Sequence, residues 1–118
     1  RISEQAVQAS WTVAASASPT ASIACVPTWH EDFRRDVSRI NIPTLVIHGD
    51  ADRIVPANAS GLRTAKLISG ARSVVIKDGP HAVTWTHADE VNSALIEFLG
   101  AGAREQEALT AGKKASKV

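Results

Sequence analysis

The chain has 118 residues, a net charge of +1 and one cysteine, Cys25. An internal disulfide is therefore excluded, and the near-balanced charge offers no basic footprint for nucleic acid. No apolar run approaches membrane-spanning length, and Cys25, His30, His48, His81 and His87 match no close-spaced zinc pattern, so no metal or membrane partner is expected.

The chain contains no methionine and begins at Arg1, which reads as the C-terminal part of a longer protein. A lone cysteine suits a reducing compartment, and a cytoplasmic location is expected. Residues 3–15 read as a helix capped by Ser3, with Ala6, Val7, Ser10, Trp11 and Ala14 on one face. Residues 16–27 are small, polar and broken by Pro19 and Pro27, which predicts a loop. Thr28-Trp29-His30-Glu31 is a capping-box pattern that predicts a second helix with Trp29, Phe33 and Val37 inward.

After Pro43, Thr44–His48 is apolar and partly β-branched and reads as a buried strand. Asn58–Ile68 reads as a helix stopped by Gly70, and Ser73–Lys77 as a second strand. Thr86 is placed to cap a final helix whose stripe is Val91, Ala94, Leu95, Phe98 and Leu99, with Gly100 ending it. Residues 101–118, ending in Gly-Lys-Lys-Ala-Ser-Lys-Val, read as a flexible tail. The strand–helix–strand–helix order predicts an α/β fold with parallel strands. Two strands alone make an incomplete domain, because stable sheets usually need three or more.

The chemistry sits in two loops that follow the strands, His48-Gly49-Asp50-Ala51-Asp52-Arg53-Ile54-Val55-Pro56 and Asp78-Gly79-Pro80-His81. In a parallel sheet both loops lie at the carboxyl edge, where ligands bind. A carboxylate there can accept from His81 Nδ1–H and fix the tautomer, leaving Nε2 as general base. Asp52 and Asp50 are both candidates for that acid, and either can instead serve as a turn residue. Ile54 and Val55 follow directly and can line a pocket or pack within the loop.

His48-Gly49-x-x-Asp52-x-x-Val55-Pro56, then Gly79-Pro80-His81 and a capped final helix, resembles the last third of α/β-hydrolase-fold enzymes. Within them the chain is most similar to the cofactor-free haloperoxidases, the non-heme chloroperoxidases and perhydrolase-like esterases. Residues Trp29 to Arg39, Ile42 to Gly49 and Trp85 to Asn92 extend that resemblance over about residues 1–100. The resemblance implies the C-terminal part of an α/β-hydrolase fold: its last two parallel strands with flanking helices, preceded by lid-region helices. Residues 1–40 would be the lid region, 41–100 the core and 101–118 the tail. It implies Asp52 as triad acid and His81 as base, and it favours Asp52 over Asp50 because the family acid lies three residues after the glycine of His-Gly. Trp11, Trp29 and Phe33 would bury apolar surface under the lid, with Trp29, Phe33, Ile54 and Val55 as candidate pocket residues. Ordinary helix packing is the competing expectation for the aromatics.

The same resemblance implies a small ester or carboxylic acid as substrate, hydrogen peroxide and halide as further reactants, and no haem, metal or other cofactor. Two departures stand out. The family usually places glycine after the histidine, where this chain has Ala82, so a positive φ there would misplace the imidazole. The chain also contains no Gly-x-Ser-x-Gly elbow and no His-Gly-Gly segment. The nucleophile would come from a missing N-terminal part, and the 118 residues alone should be inactive. A non-catalytic binding or assembly domain is the alternative, as is the same fold with lipase, dehalogenase or C–C hydrolase chemistry; oligomerisation is compatible with each.

Overall fold

The β-branched runs behind Pro43 and Gly70 form the centre of the molecule. In the computed structural model, which describes the backbone of residues 2–115 and the side chains of residues 2–102, Leu45–Gly49 (β1) pairs in parallel with Arg72–Ile76 (β2). The register sets Leu45 against Arg72 and Gly49 against Ile76, so the two strand ends finish level. Both strands sit one residue earlier or later than the sequence suggests, an ordinary boundary difference.

Among the described residues, four α-helices and two 3₁₀ turns precede the sheet or connect its strands. Glu4–Ala15 (α1) begins where expected, with Ser3 Oγ accepting the Ala6 N–H at 3.2 Å. Residues 16–27 are not a loop. Pro19–Cys25 (α2) is a helix, and a 3₁₀ turn follows over Val26–His30. Its start combines Ser18 as N-cap, accepting from Ala21 N–H, with Pro19 at the first turn, where a missing N–H costs nothing. The capping box at Thr28 does not form. Thr28 Oγ1 donates backwards to the Cys25 carbonyl at 2.6 Å, and the next helix, Arg34–Val37 (α3), is short and starts only after Phe33. Gly61–Leu67 (α4) links the strands, preceded by a 3₁₀ turn at Ala57–Ala59.

Beyond β2 come Val83–Thr86 (α5) and Ala88–Ala115 (α6). Thr86 closes α5 by donating to the Ala82 carbonyl instead of opening α6. Gly100 does not end this helix, which runs through it to Ala115. A glycine costs a helix only about 1 kcal/mol, and Ala103, Arg104, Glu105, Gln106, Glu107, Ala108 and Leu109 are mostly strong helix formers. The side chains of residues 103–118 of the expected tail, and the backbone of 116–118, lie outside the described residues.

Ile76, Val83 and Val91 make the core, with Ile47 and Val74 packed against them. Arg72 and Glu97 tie β2 to α6 by an ion pair at 2.6 Å. The core is small, and no described side chain is fully buried. Trp11, Trp29 and Phe33 do not pack as expected: they are 67%, 75% and 58% exposed. Their helices have few partners among the described residues, so an apolar face exists without a surface to cover it.

The strand ends meet through glycine. A Cβ on Gly49 would fall inside the Gly79 carbonyl group, a backbone contact that no rotamer change can relieve. Gly49→Ala should therefore destabilise the fold by about 3 kcal/mol, read as a shift in the urea midpoint. An unchanged midpoint would show that the two loops do not touch as described.

Candidate active site

Two loops deliver the site, and their backbones are stitched before any side chain is considered. Asp50 N–H donates to the Ile76 carbonyl and Ala51 N–H to the Gly79 carbonyl, both at 3.1 Å. Asp50 Oδ1 then accepts the Asp78 N–H at 2.6 Å. That bond helps hold Asp78 at φ 57°, in the left-handed region that aspartate tolerates better than most residues. Asp50, the rival acid, thus serves as a tether for the turn that presents His81.

Asp52 is the buried carboxylate, 8% exposed. Its Oδ1 accepts the backbone N–H groups of Ile54 and Val55, each at 2.9 Å. Its Oδ2 faces His81 Nδ1 at 2.9 Å and His48 Nε2 at 3.2 Å. Three hydrogen bonds hold the carboxylate, from the Ile54 and Val55 N–H groups and the His81 ring, and the His48 ring lies beside it. Because an ionised carboxylate only accepts, His81 Nδ1 carries the proton and donates. His81 Nε2 has no partner among the described residues, and the side chain is 52% exposed.

Burial of the Asp52 carboxyl disfavours its charge, but the Val55 N–H, the His81 ring and the Ile54 N–H outweigh it. The pKa falls from the ordinary 3.8 to about 2. Folding thus favours the ionised form. That contribution is complete above the unfolded value and is lost as pH falls through the folded one. The urea midpoint should therefore drop between about pH 4 and pH 2, and Asp52→Asn should flatten that part of the profile. An identical acid limb in the variant would mean that Asp52 is not the group responsible.

Ala82 has φ −86°, so alanine sits there without the strain that a positive φ would impose. The left-handed residue of this loop is Asp78, four positions earlier. Of the residues expected from sequence, the structure brings Asp52 and His81 together. Ile54 and Val55 contribute through their backbones; the Ile54 side chain is exposed. Trp29 stands on the exposed 3₁₀ turn. Phe33 lines a separate cavity of about 410 Å³ with His30, Arg34, Val37, Ser60 and Arg63. Sequence reasoning assigned no role to His48, although its spacing of four from Asp52 across a strand end carried the signal.

Among the described residues no cluster of three or more His, Cys, Asp or Glu could hold a metal ion, and no helix is long and apolar enough to cross a membrane.

Residues 2–88 match the family described as alpha/beta hydrolase fold. Over 99 residues the chain is 54% identical to a protein of Synechocystis sp. assigned as a non-heme chloroperoxidase, covering 84% of this chain and 36% of the relative. It is 34% identical over 92 residues to a non-heme chloroperoxidase of Kitasatospora aureofaciens, covering 75% and 34%. The crystal structure of a bromoperoxidase from Bacillus anthracis superposes with a TM-score of 0.80 at 43% identity, covering 84% of this chain and 36% of that one. The chain thus spans about a third of the length of these relatives.

Proposed function

Because the chain belongs to the alpha/beta hydrolase fold family and its relatives include non-heme haloperoxidases, we propose that Asp52 and His81 are the acid and base of a serine hydrolase. The observation that carries this reading is the His81 Nδ1–Asp52 Oδ2 bond of 2.9 Å, made by a buried carboxylate to a half-exposed imidazole. In this reading Asp52 fixes the tautomer, and His81 Nε2 removes the proton from a serine hydroxyl. The serine oxygen attacks the carbonyl of a small ester, the alcohol departs with that proton, and an acyl-enzyme remains. Water then releases the acid. Hydrogen peroxide in its place releases a peracid, which transfers oxygen to halide to give hypohalite and the carboxylic acid. His81 serves both acyl acceptors in the same way, by taking a proton from whichever attacks.

Residues 1–40 are assigned to the lid region and 41–100 to the core that carries the acid and base. The serine lies in an N-terminal segment of the same polypeptide, since the chain has no Gly-x-Ser-x-Gly.

The test is to express the chain together with its upstream coding sequence and expose both forms to a fluorophosphonate. The longer form should be labelled on a serine, hydrolyse small esters and oxidise halide when peroxide and a carboxylic acid are supplied. The 118 residues alone should be unlabelled and inert. Ester turnover by the 118-residue chain, or a longer form with no reactive serine, would overturn the proposal.

A further inference from the structure

His48 has no part in the chemistry above, yet it is placed against the acid. It is the fourth residue of β1, and its side chain is only 15% exposed. Nε2 lies 2.9 Å from the Val55 carbonyl oxygen and 3.2 Å from Asp52 Oδ2. Both partners are acceptors: a carbonyl cannot donate, and neither can a carboxylate. Nε2 must therefore carry a proton, and its one hydrogen goes to the Val55 carbonyl while the ring edge lies beside Asp52 Oδ2. In the neutral ring Nδ1 is then bare, and it lies over Gly61 at the start of α4. A Cβ on Gly61 would collide with Nδ1, so the ring occupies space that only glycine leaves open.

We infer that His48 is a positioning residue for the triad acid: its Nε2–H holds the Val55 carbonyl, and with it the residue whose N–H keeps the Asp52 carboxylate in line with His81. The Val55 N–H already holds Asp52 Oδ1. Val55 is thus held by His48 at its carbonyl and holds the carboxylate by its N–H. Without the imidazole, Val55 loses that anchor, and the carboxylate can turn away from the ring it orients. This inference rests on the reading of Asp52 and His81 as acid and base.

The experiment uses the longer form that contains the serine. Long-range ¹H–¹⁵N spectra of its histidines should show the His48 proton on Nε2 and a bare Nδ1. A His48 protonated on Nδ1 would overturn the inference, and this measurement needs no variant. His48→Leu should lower kcat about 10- to 100-fold with KM changed less than about twofold, as a misaligned catalytic group does. His48→Gln, whose amide can donate to Val55, should recover most of that loss. Gly61→Ala should displace the ring and lower kcat in the same direction. Full activity in a folded His48→Leu, or no advantage of Gln over Leu, would reduce His48 to packing. His81→Ala in the same series separates the two levels. If it remains active, the acid–base reading itself fails. If it is inactive while His48→Leu is not, only the role of His48 falls. Should His48→Leu not fold, the spectra, His48→Gln and Gly61→Ala decide the matter.

Discussion

Replacing His81 with alanine in the serine-containing form should lower ester turnover by about 10⁴-fold or more. The imidazole is the proposed acceptor for the serine proton, and no other described base sits on Asp52 except His48, whose Nε2 is committed to Val55. The side chain of His81 is half-exposed and outside the core. Its loss removes one donor from the buried Asp52 carboxylate and should cost about 1–2 kcal/mol of stability, which thermal melting of the variant measures separately. Kinetics with a chromogenic ester then read the chemistry alone. A folded His81→Ala retaining more than a tenth of the wild-type kcat would remove the histidine from the mechanism. The halide-oxidising reaction should fall in parallel, because in the proposed mechanism peroxide and water attack the same acyl-enzyme.

Asp52→Asn should cost about 10⁴-fold in kcat while leaving the loop intact. The asparagine carbonyl can still accept from the Ile54 and Val55 N–H groups. Its amide nitrogen, however, would face the Oδ2 position and present hydrogens to His81 Nδ1, which favours the wrong tautomer. Asp50→Asn makes the useful contrast. An asparagine oxygen there can still receive the Asp78 N–H, so turnover should fall only a few-fold. Equal losses from the two substitutions would mean that the loops act as one unit and that the 2.9 Å pairing does not single out Asp52. The comparison is made at a pH well above the acid limb, so that protonation of carboxylates does not enter.

Much of this was legible in the residues. Parallel strands, the helix between them and the meeting of Asp52 with His81 all follow from apolar runs ending in Gly-containing loops, because a parallel sheet brings successive strand ends to one edge. The choice between Asp52 and Asp50 was not legible in local chemistry, since both are turn-forming aspartates near a strand end. Burial and the two N–H groups of Ile54 and Val55 separate them, and those depend on how residues 52–55 curl. The helix at Pro19–Cys25 was hidden because proline reads as a breaker; only with Ser18 before it does it read as a start. Gly100 misled in the opposite direction, since one glycine cannot outvote the alanine- and glutamate-rich residues around it. His48 was visible in the motif, but its role needed a three-dimensional fact, the coincidence of Val55, Asp52 and Gly61 around one ring.

The backbone N–H groups on the Asp52 carboxylate have a consequence for the energetics of the proposed proton transfer. In water, a carboxylate facing a newly formed imidazolium would be met by solvent dipoles that must rotate as the charge appears. Here two peptide N–H groups stand in those positions, turned the right way when the chain folded. In the proposed mechanism the solvation of the ion pair is installed ahead of the reaction, so little reorganisation would remain as His81 takes the proton.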